Sequence, residues 1–162
     1  ERMGATLQVS PLRQRWVADG EILDVGDRKL LTVRPPVFDS PTTRGLFDPT
    51  TGVYWGADAF AAPMPTPVGD VADLDDGFWT QMVAGFSQAL SPWIMIADDR
   101  KYQATVDRIA ALGASTIASC HSPVIRRSHI DGALEATRVA PSIDAPPLPD
   151  QSVLDQIQLS MM

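Results

Sequence analysis

Imidazole and thiol side chains are scarce in this chain: its 162 residues include two histidines, His121 and His129, and one cysteine, Cys120. Chemistry that needs several imidazole or thiolate donors is closed to it, so carboxylates must supply most of any ligand set. Two positions stand out because each places such a side chain directly after a strand-like run. Asp58 ends Gly52-Val53-Tyr54-Trp55-Gly56-Ala57-Asp58-Ala59-Phe60, where the small residues Gly56, Ala57 and Ala59 allow close approach of backbone and ligand. His121 ends Thr116-Ile117-Ala118-Ser119-Cys120-His121 and is followed by Ser122-Pro123. In layered α/β proteins ligands gather beyond the carboxyl ends of strands, so these two can meet in space. Asp39, in Pro35-Pro36-Val37-Phe38-Asp39-Ser40-Pro41-Thr42-Thr43-Arg44, is the third candidate, a hard oxygen donor. Each also has a plainer reading. An aspartate after a strand often closes a turn, and a lone histidine is often structural. Asp39 can lock its own loop through the Ser40 and Thr42 hydroxyls, with Arg44 pairing to its carboxylate.

The elements that must position these residues can be read from punctuation and periodicity. Ile22–Val25 and Leu30–Val33 flank a Gly26-Asp27 turn and form a hairpin, which Pro35-Pro36 ends because proline offers no N–H to a ladder. Thr43–Phe47 and Val53–Gly56 are further strands around the turn Asp48–Gly52. Pro63, Pro65 and Pro67 make a stiff connector, and Asp73, Asp75 and Asp76 favour a helix start. Phe78, Met82, Phe86 and Leu90 recur every four residues as an apolar stripe, and Phe78, Trp55, Trp79 and Trp93 read as core. A second helix spans Asp98–Leu112 with Tyr102, Val106 and Ile109 on one face and Gly113 as its stop. Ser115–Ser119 is a short strand, and Ile130–Val139 a helix capped by Ser128. His129, at that helix start, reads as a neutral surface or capping residue, and Arg126-Arg127 as a solvated face able to attract an anion. A proline-rich linker with a short terminal amphipathic helix (Val153, Ile157, Leu159) fills 141–162, leaving one domain over 1–140. Strands followed by helix, helix, strand and helix imply an α/β fold, a mixed sheet with covering helices.

Composition narrows the function. A net charge of −7 argues against nucleic-acid and anionic-membrane partners, which need a basic face. One cysteine excludes an internal disulfide, no apolar run reaches the roughly 20 residues of a membrane span, and no secretory signal opens the chain, so a cytoplasmic setting is the default expectation. Glycine-rich nucleotide loops and a Gly-x-Ser-x-Gly elbow are absent.

Tyr54-Trp55-Gly56-Ala57-Asp58-Ala59-Phe60, a helical stretch, and then Ser119-Cys120-His121-Ser122-Pro123 together resemble the second half of the metallo-β-lactamase fold, closest to the oxygen-binding di-iron branch of flavodiiron proteins. The resemblance covers roughly Trp16 to Arg138. It implies the C-terminal half of an αββα sandwich, with Asp58 as a carboxylate bridging two metals and His121 as a terminal ligand. The family's His-x-(His/Glu)-x-Asp-His motif is missing. Its histidine on the preceding loop has Asp39 as the best substitute here, or falls on Pro36, which cannot ligate. These residues could not complete a two-metal centre, because even a catalytic zinc uses three protein ligands. The chain is therefore expected to be part of a longer domain, to be completed by a partner, or to have lost the metal (Fe or Zn). For the intact domain the resemblance implies a metal-dependent enzyme with a small-molecule substrate. Zinc would hydrolyse an ester, thioester or amide; iron would reduce dioxygen or nitric oxide with electrons from a separate flavin partner. A metal-free scaffold or binding module is the alternative. Half a sandwich also exposes an apolar sheet face, so a homo-oligomer or a missing N-terminal half is expected to cover it.

Overall fold

Short strands bounded by glycine, proline and aspartate build the first third of the molecule, and three packed helices build most of the rest. The structure, a computed structural model, describes residues 15–144 and 150–160. β1 (Ile22–Asp24) and β2 (Lys29–Val33) form the expected hairpin, followed by β3 (Gly45–Asp48), β4 (Val53–Trp55), β5 (Thr116–Ala118) and β6 (Ile125–Arg126). They make one six-stranded sheet in the order β1-β2-β3-β4-β5-β6. Every neighbouring pair is antiparallel except β4–β5, which is parallel. The crossover between those two carries α1 (Asp76–Leu90) and α2 (Asp99–Ala110); α3 (Ile130–Val139) and α4 (Gln151–Ser160) follow β6.

Register sorts the sheet into two faces. Leu31, Phe47, Tyr54, Ile117 and Ile125 align across five strands. Tyr54, Ile117 and Ile125 are buried in one core with Trp79, Val83, Tyr102, Val106, Ile109 and Leu134 from the helices. The opposite face carries the row Leu46–Trp55–Ala118 and, beside it, Val53–Thr116. Leu46, Val53 and Ala118 are half-buried there and Trp55 is 39% exposed. The helices thus cover one side of the sheet and leave a partly apolar face on the other.

α1 starts where the aspartates place it: Asp75 caps it, accepting from the Phe78 N–H at 2.9 Å. Its buried face is nevertheless offset from the expected stripe. Phe78 is 47% exposed and Met82, Phe86 and Leu90 only half-buried, whereas Trp79, Val83, Ala84, Ser87 and Gln88 face the core. Hydrogen bonds make the two polar members affordable: Ser87 Oγ donates to Val83 O at 2.7 Å, and Gln88 Nε2 to Ala140 O and Ile143 O, both at 2.7 Å. Of the expected aromatic core only Trp79 is buried; Trp55, Trp93 and Phe78 all face solvent in part. α2 matches its reading, with Asp98 as cap, Tyr102, Val106 and Ile109 buried, and Gly113 at φ 63° ending it. α3 departs: a 3-10 turn, Arg127–His129, leads into it, His129 occupies the cap position without a side-chain bond, and Ser128 caps nothing. Pro141 belongs to a 3-10 turn, Ala140–Ser142, tied to α1 through Gln88, so the packed body runs past residue 141; Pro146, Pro147 and Pro149 lie outside the described residues. α4 is exposed along its whole length.

Two details hold the β3–β4 hairpin. Gly45 is obligatory because a Cβ there would lie 2.6 Å from the buried Tyr54 hydroxyl oxygen. Asp48 organises the turn to Gly52, accepting from Thr50 N (2.8 Å), Thr51 Oγ1 (2.8 Å) and Arg28 Nη1 (3.1 Å). Burial opposes the Asp48 charge, but these donors outweigh it and hold its carboxyl at about 2, below the ordinary 3.8. A depressed folded-state value means that the stabilisation is complete above about pH 4 and is lost as the pH falls toward 2. Asp48→Asn should therefore lower the melting temperature at neutral pH and flatten its decline below about pH 4. Thermal unfolding by circular dichroism across that range checks this; an unchanged acid limb would show that Asp48 does not carry it.

Candidate functional site

Parallel strands end on the same side of a sheet, so the loops after β4 and β5 leave together. They are laced to each other: Gly56 N donates to Ala118 O (2.8 Å), and Ala57 O accepts from both Cys120 N (2.8 Å) and Ser119 Oγ (2.9 Å). The first loop is unusual for surface-seeking backbone. Gly56, Ala57, Ala59, Phe60, Ala61 and Ala62 are all buried, and Asp58 is the one residue of the run that reaches solvent. Two residues take the left-handed conformation, Ala57 at φ 54° and Phe60 at φ 63°, although both carry a Cβ. Phe60 is completely buried, edge-on to Tyr54 at 6.3 Å, and packing of that kind is what makes such backbone tolerable. The small side chains read from the sequence are what allow this fold-back.

The result is that Asp58 Oδ1 and His121 Nε2 lie 3.3 Å apart. That is just beyond an ordinary hydrogen bond and close enough for one ion to touch both. The Asp58 side chain is 21% exposed and that of His121 55%. Phe86 sets its ring edge-on to the imidazole with centroids 6.0 Å apart, giving the exposed histidine an apolar wall. The helical stripe in the sequence assigned Phe86 to the core; no sequence signal ties it to His121. Behind the imidazole is an open cleft of about 260 Å³ lined by Ala62, Met64, Val68, Cys120, His121 and Pro123. Cys120 is exposed and free.

Asp39 does not join this pair. It is exposed, on the β2–β3 loop, and accepts from Thr43 Oγ1 at 3.2 Å; the expected partnership with Arg44 is absent among the described residues, where Arg44 Nη1 donates to the carbonyls of Pro41 (3.1 Å) and Thr43 (2.8 Å). Ser40 and Thr42 do bond each other through their hydroxyls, at 2.9 Å, so the turn reading of this loop accounts for its geometry. His129 belongs elsewhere too, 3.8 Å from Asp76 Oδ1 and edge-on to Trp79. Asp76 and Phe86 are ten residues apart on α1, about 15 Å along its axis, which separates the two histidines. Arg126 is occupied by Asp70.

Among the described residues no three His, Cys, Asp or Glu side chains are grouped to hold a metal ion. A carboxylate and an imidazole suit iron and zinc alike, but three protein donors are the usual minimum for a catalytic ion. Asp58 and His121 therefore fit part of a centre and do not make one by themselves. Among the described residues no helix is long and apolar enough to cross a membrane.

No protein-family model matches the chain, and no curated protein does. Solved structures do share its fold. A flavodiiron protein from Giardia intestinalis aligns over 77% of this chain and 30% of its own, with a TM-score of 0.60 and 15% identity. The rubredoxin oxygen:oxidoreductase of Desulfovibrio gigas aligns over 84% and 34%, with a TM-score of 0.64 and 12% identity. A peroxy di-iron species of the chemotaxis sensor ODP, a protein also solved in an apo state from T. denticola, aligns over 87% and 54%, with a TM-score of 0.60 and 17% identity. At these identities the likeness concerns the fold, and the chain spans between about a third and about half of each neighbour. The α/β architecture, a six-stranded mixed sheet with helices on one face, is shared with part of these metallo-β-lactamase-type flavodiiron structures.

Lacing through Ala57 gives a direct test of how the pair is held. A β-branched residue resists the left-handed conformation, so Ala57→Val should cost about 1–3 kcal/mol of stability. Amide exchange at Cys120, whose N–H is bonded to Ala57 O, should quicken with it. Unchanged unfolding in denaturant together with unchanged exchange would show that the strained turn is not what positions Asp58.

Proposed function

We propose that this chain is the ligand-lending half of a metal-dependent oxidoreductase domain of the flavodiiron kind, with Asp58 as a shared carboxylate and His121 as a terminal imidazole ligand. The remaining donors would come from outside the described residues. The observation that carries this is the 3.3 Å approach of the two side chains at the common end of β4 and β5, presented by two loops whose backbones are hydrogen-bonded to each other. The open sheet face bearing Leu46, Val53 and Trp55 supports it, since a second apolar layer placed there would complete a sandwich. A bound iron pair would supply electron transfer to a small oxidant such as dioxygen, the substrate in the name of the Desulfovibrio neighbour, with electrons arriving from a separate flavin module. What this chain contributes is orientation. Asp58 stays aimed outward because its neighbours in the loop are buried, Phe86 walls one side of His121, and the cleft beside the imidazole leaves room for a small molecule.

A second reading, a metal-free scaffold, is favoured by one observation: Asp58 and His121 already contact each other, and no third donor is grouped with them among the described residues. Titration with Zn²⁺ or anaerobic Fe²⁺, followed through the His121 imidazole resonances and by calorimetry, separates the two. The half-centre predicts weak one-to-one binding that shifts His121 and leaves His129 unmoved. Asp58→Ala and His121→Ala should each weaken it by about tenfold or more. Failure of the wild-type chain to bind at millimolar metal would overturn the proposal and leave the scaffold.

A further inference from the structure

The loop between β2 and β3 brings two guanidiniums together without a carboxylate between them. Arg34 Nη2 and Arg44 Nη1 donate to the same oxygen, Pro41 O, at 3.2 and 3.1 Å. A neutral carbonyl shared by two cations does not offset their mutual repulsion, and Asp19, whose carboxylate feels the Arg34 charge, is already bonded to Arg108. Neither arginine forms an ion pair among the described residues. Both Nε atoms are shut off from solvent and lack an acceptor among those residues. A shielded donor left in that state is costly, while the rest of each guanidinium is half-exposed and reachable from solvent.

The nearby acids are engaged elsewhere. Asp39 accepts from Thr43 Oγ1, and Asp19 accepts from the Arg34 backbone N–H at 2.7 Å and from Arg108 at 2.8 and 3.0 Å. The floor of the site is rigid and apolar. Phe38 lies beneath the Arg34 guanidinium, 5.6 Å from ring centroid to Cζ, and against Trp93 with centroids 4.9 Å apart. Ser91 Oγ pins Phe38 through both its N–H and its carbonyl, each at 2.9 Å. Two guanidiniums meeting at one oxygen, that of Arg34 held over an aromatic ring, suit a planar or tetrahedral oxyanion, which accepts paired N–H groups and brings a negative charge.

We propose that Arg34 and Arg44 form an oxyanion-binding site for the phosphate or carboxylate group of a small molecule, which takes over from Pro41 O as the shared acceptor of their Nη–H groups. The site shares no side chain with the Asp58–His121 pair and does not depend on a metal.

The Nε–Hε resonances of the two arginines read the proposal directly. Wild-type protein is titrated with sodium phosphate, sodium acetate and sodium chloride at matched ionic strength. Saturable shifts of both resonances with phosphate or acetate, and none with chloride, are expected; the oxyanion that saturates at lower concentration identifies the preferred group. Arg34→Gln and Arg44→Gln should each weaken that binding by about tenfold or more, as expected for one lost charge-assisted hydrogen bond. Equal, unsaturable shifts in all three salts would reduce the effect to screening and overturn the proposal, as would saturable binding that survives the double substitution. The wild-type titration decides the matter even if a variant fails to fold.

Discussion

The parallel pairing of β4 with β5 is the constraint on which the site depends. The other strand pairs are antiparallel and send their loops to alternate edges; this one brings two loops, sixty residues apart in sequence, to a single edge. The carbonyl of Ala57 then fastens them by accepting from both Cys120 N and Ser119 Oγ. That carbonyl is available only because Ala57 adopts a left-handed turn, and the turn persists because the Phe60 ring fills the core behind it. A conformation unfavourable to an L-residue is thus offset by hydrophobic burial, and Asp58 is turned outward as a result.

The same architecture explains why the site stops at two donors. Helices close one side of the sheet with Trp79, Tyr102, Val106 and Ile109; among the described residues the other side is covered at Thr32, which is buried with its hydroxyl bonded to Ala18 O and Glu21 O, and is left partly open at Leu46, Val53 and Trp55. Asp58 and His121 sit at the end of a sheet that has one protected face and one bearing Leu46, Val53 and Trp55. Under the proposed function, further ligands would come from a layer placed across that partly open face. The structure neighbours, each two to three times longer than the span they share with this chain, are consistent with such a division.

Much of this was legible in the residues. Small residues around Asp58, and the order of its motif before Ser119–Pro123, were enough to place two donors at neighbouring strand ends. The capping aspartates Asp75 and Asp98 marked their helix starts, because a carboxylate accepting backbone N–H groups is a local signal. Other features depend on long-range partners and were not legible. The buried face of α1 is offset from its apolar stripe because Ser87 and Gln88 find acceptors, for Gln88 more than fifty residues away, and Trp79 displaces Phe78 from the core. β6 is two residues long and exists only by pairing with β5, so no periodicity could reveal it. Asp39 lies on a loop of the anticipated kind, but its carboxylate and Arg44 choose different partners. A pairing inferred from a spacing of five residues had no geometric warrant.

Crystals of the chain soaked in Zn²⁺ or Fe²⁺ and measured at the metal's absorption edge test the central claim most directly. One anomalous peak should lie about 2.0–2.2 Å from an Asp58 carboxylate oxygen and from an imidazole nitrogen of His121. A peak elsewhere, or none at the carboxyl ends of β4 and β5, would contradict the assignment of these residues as ligands of one metal.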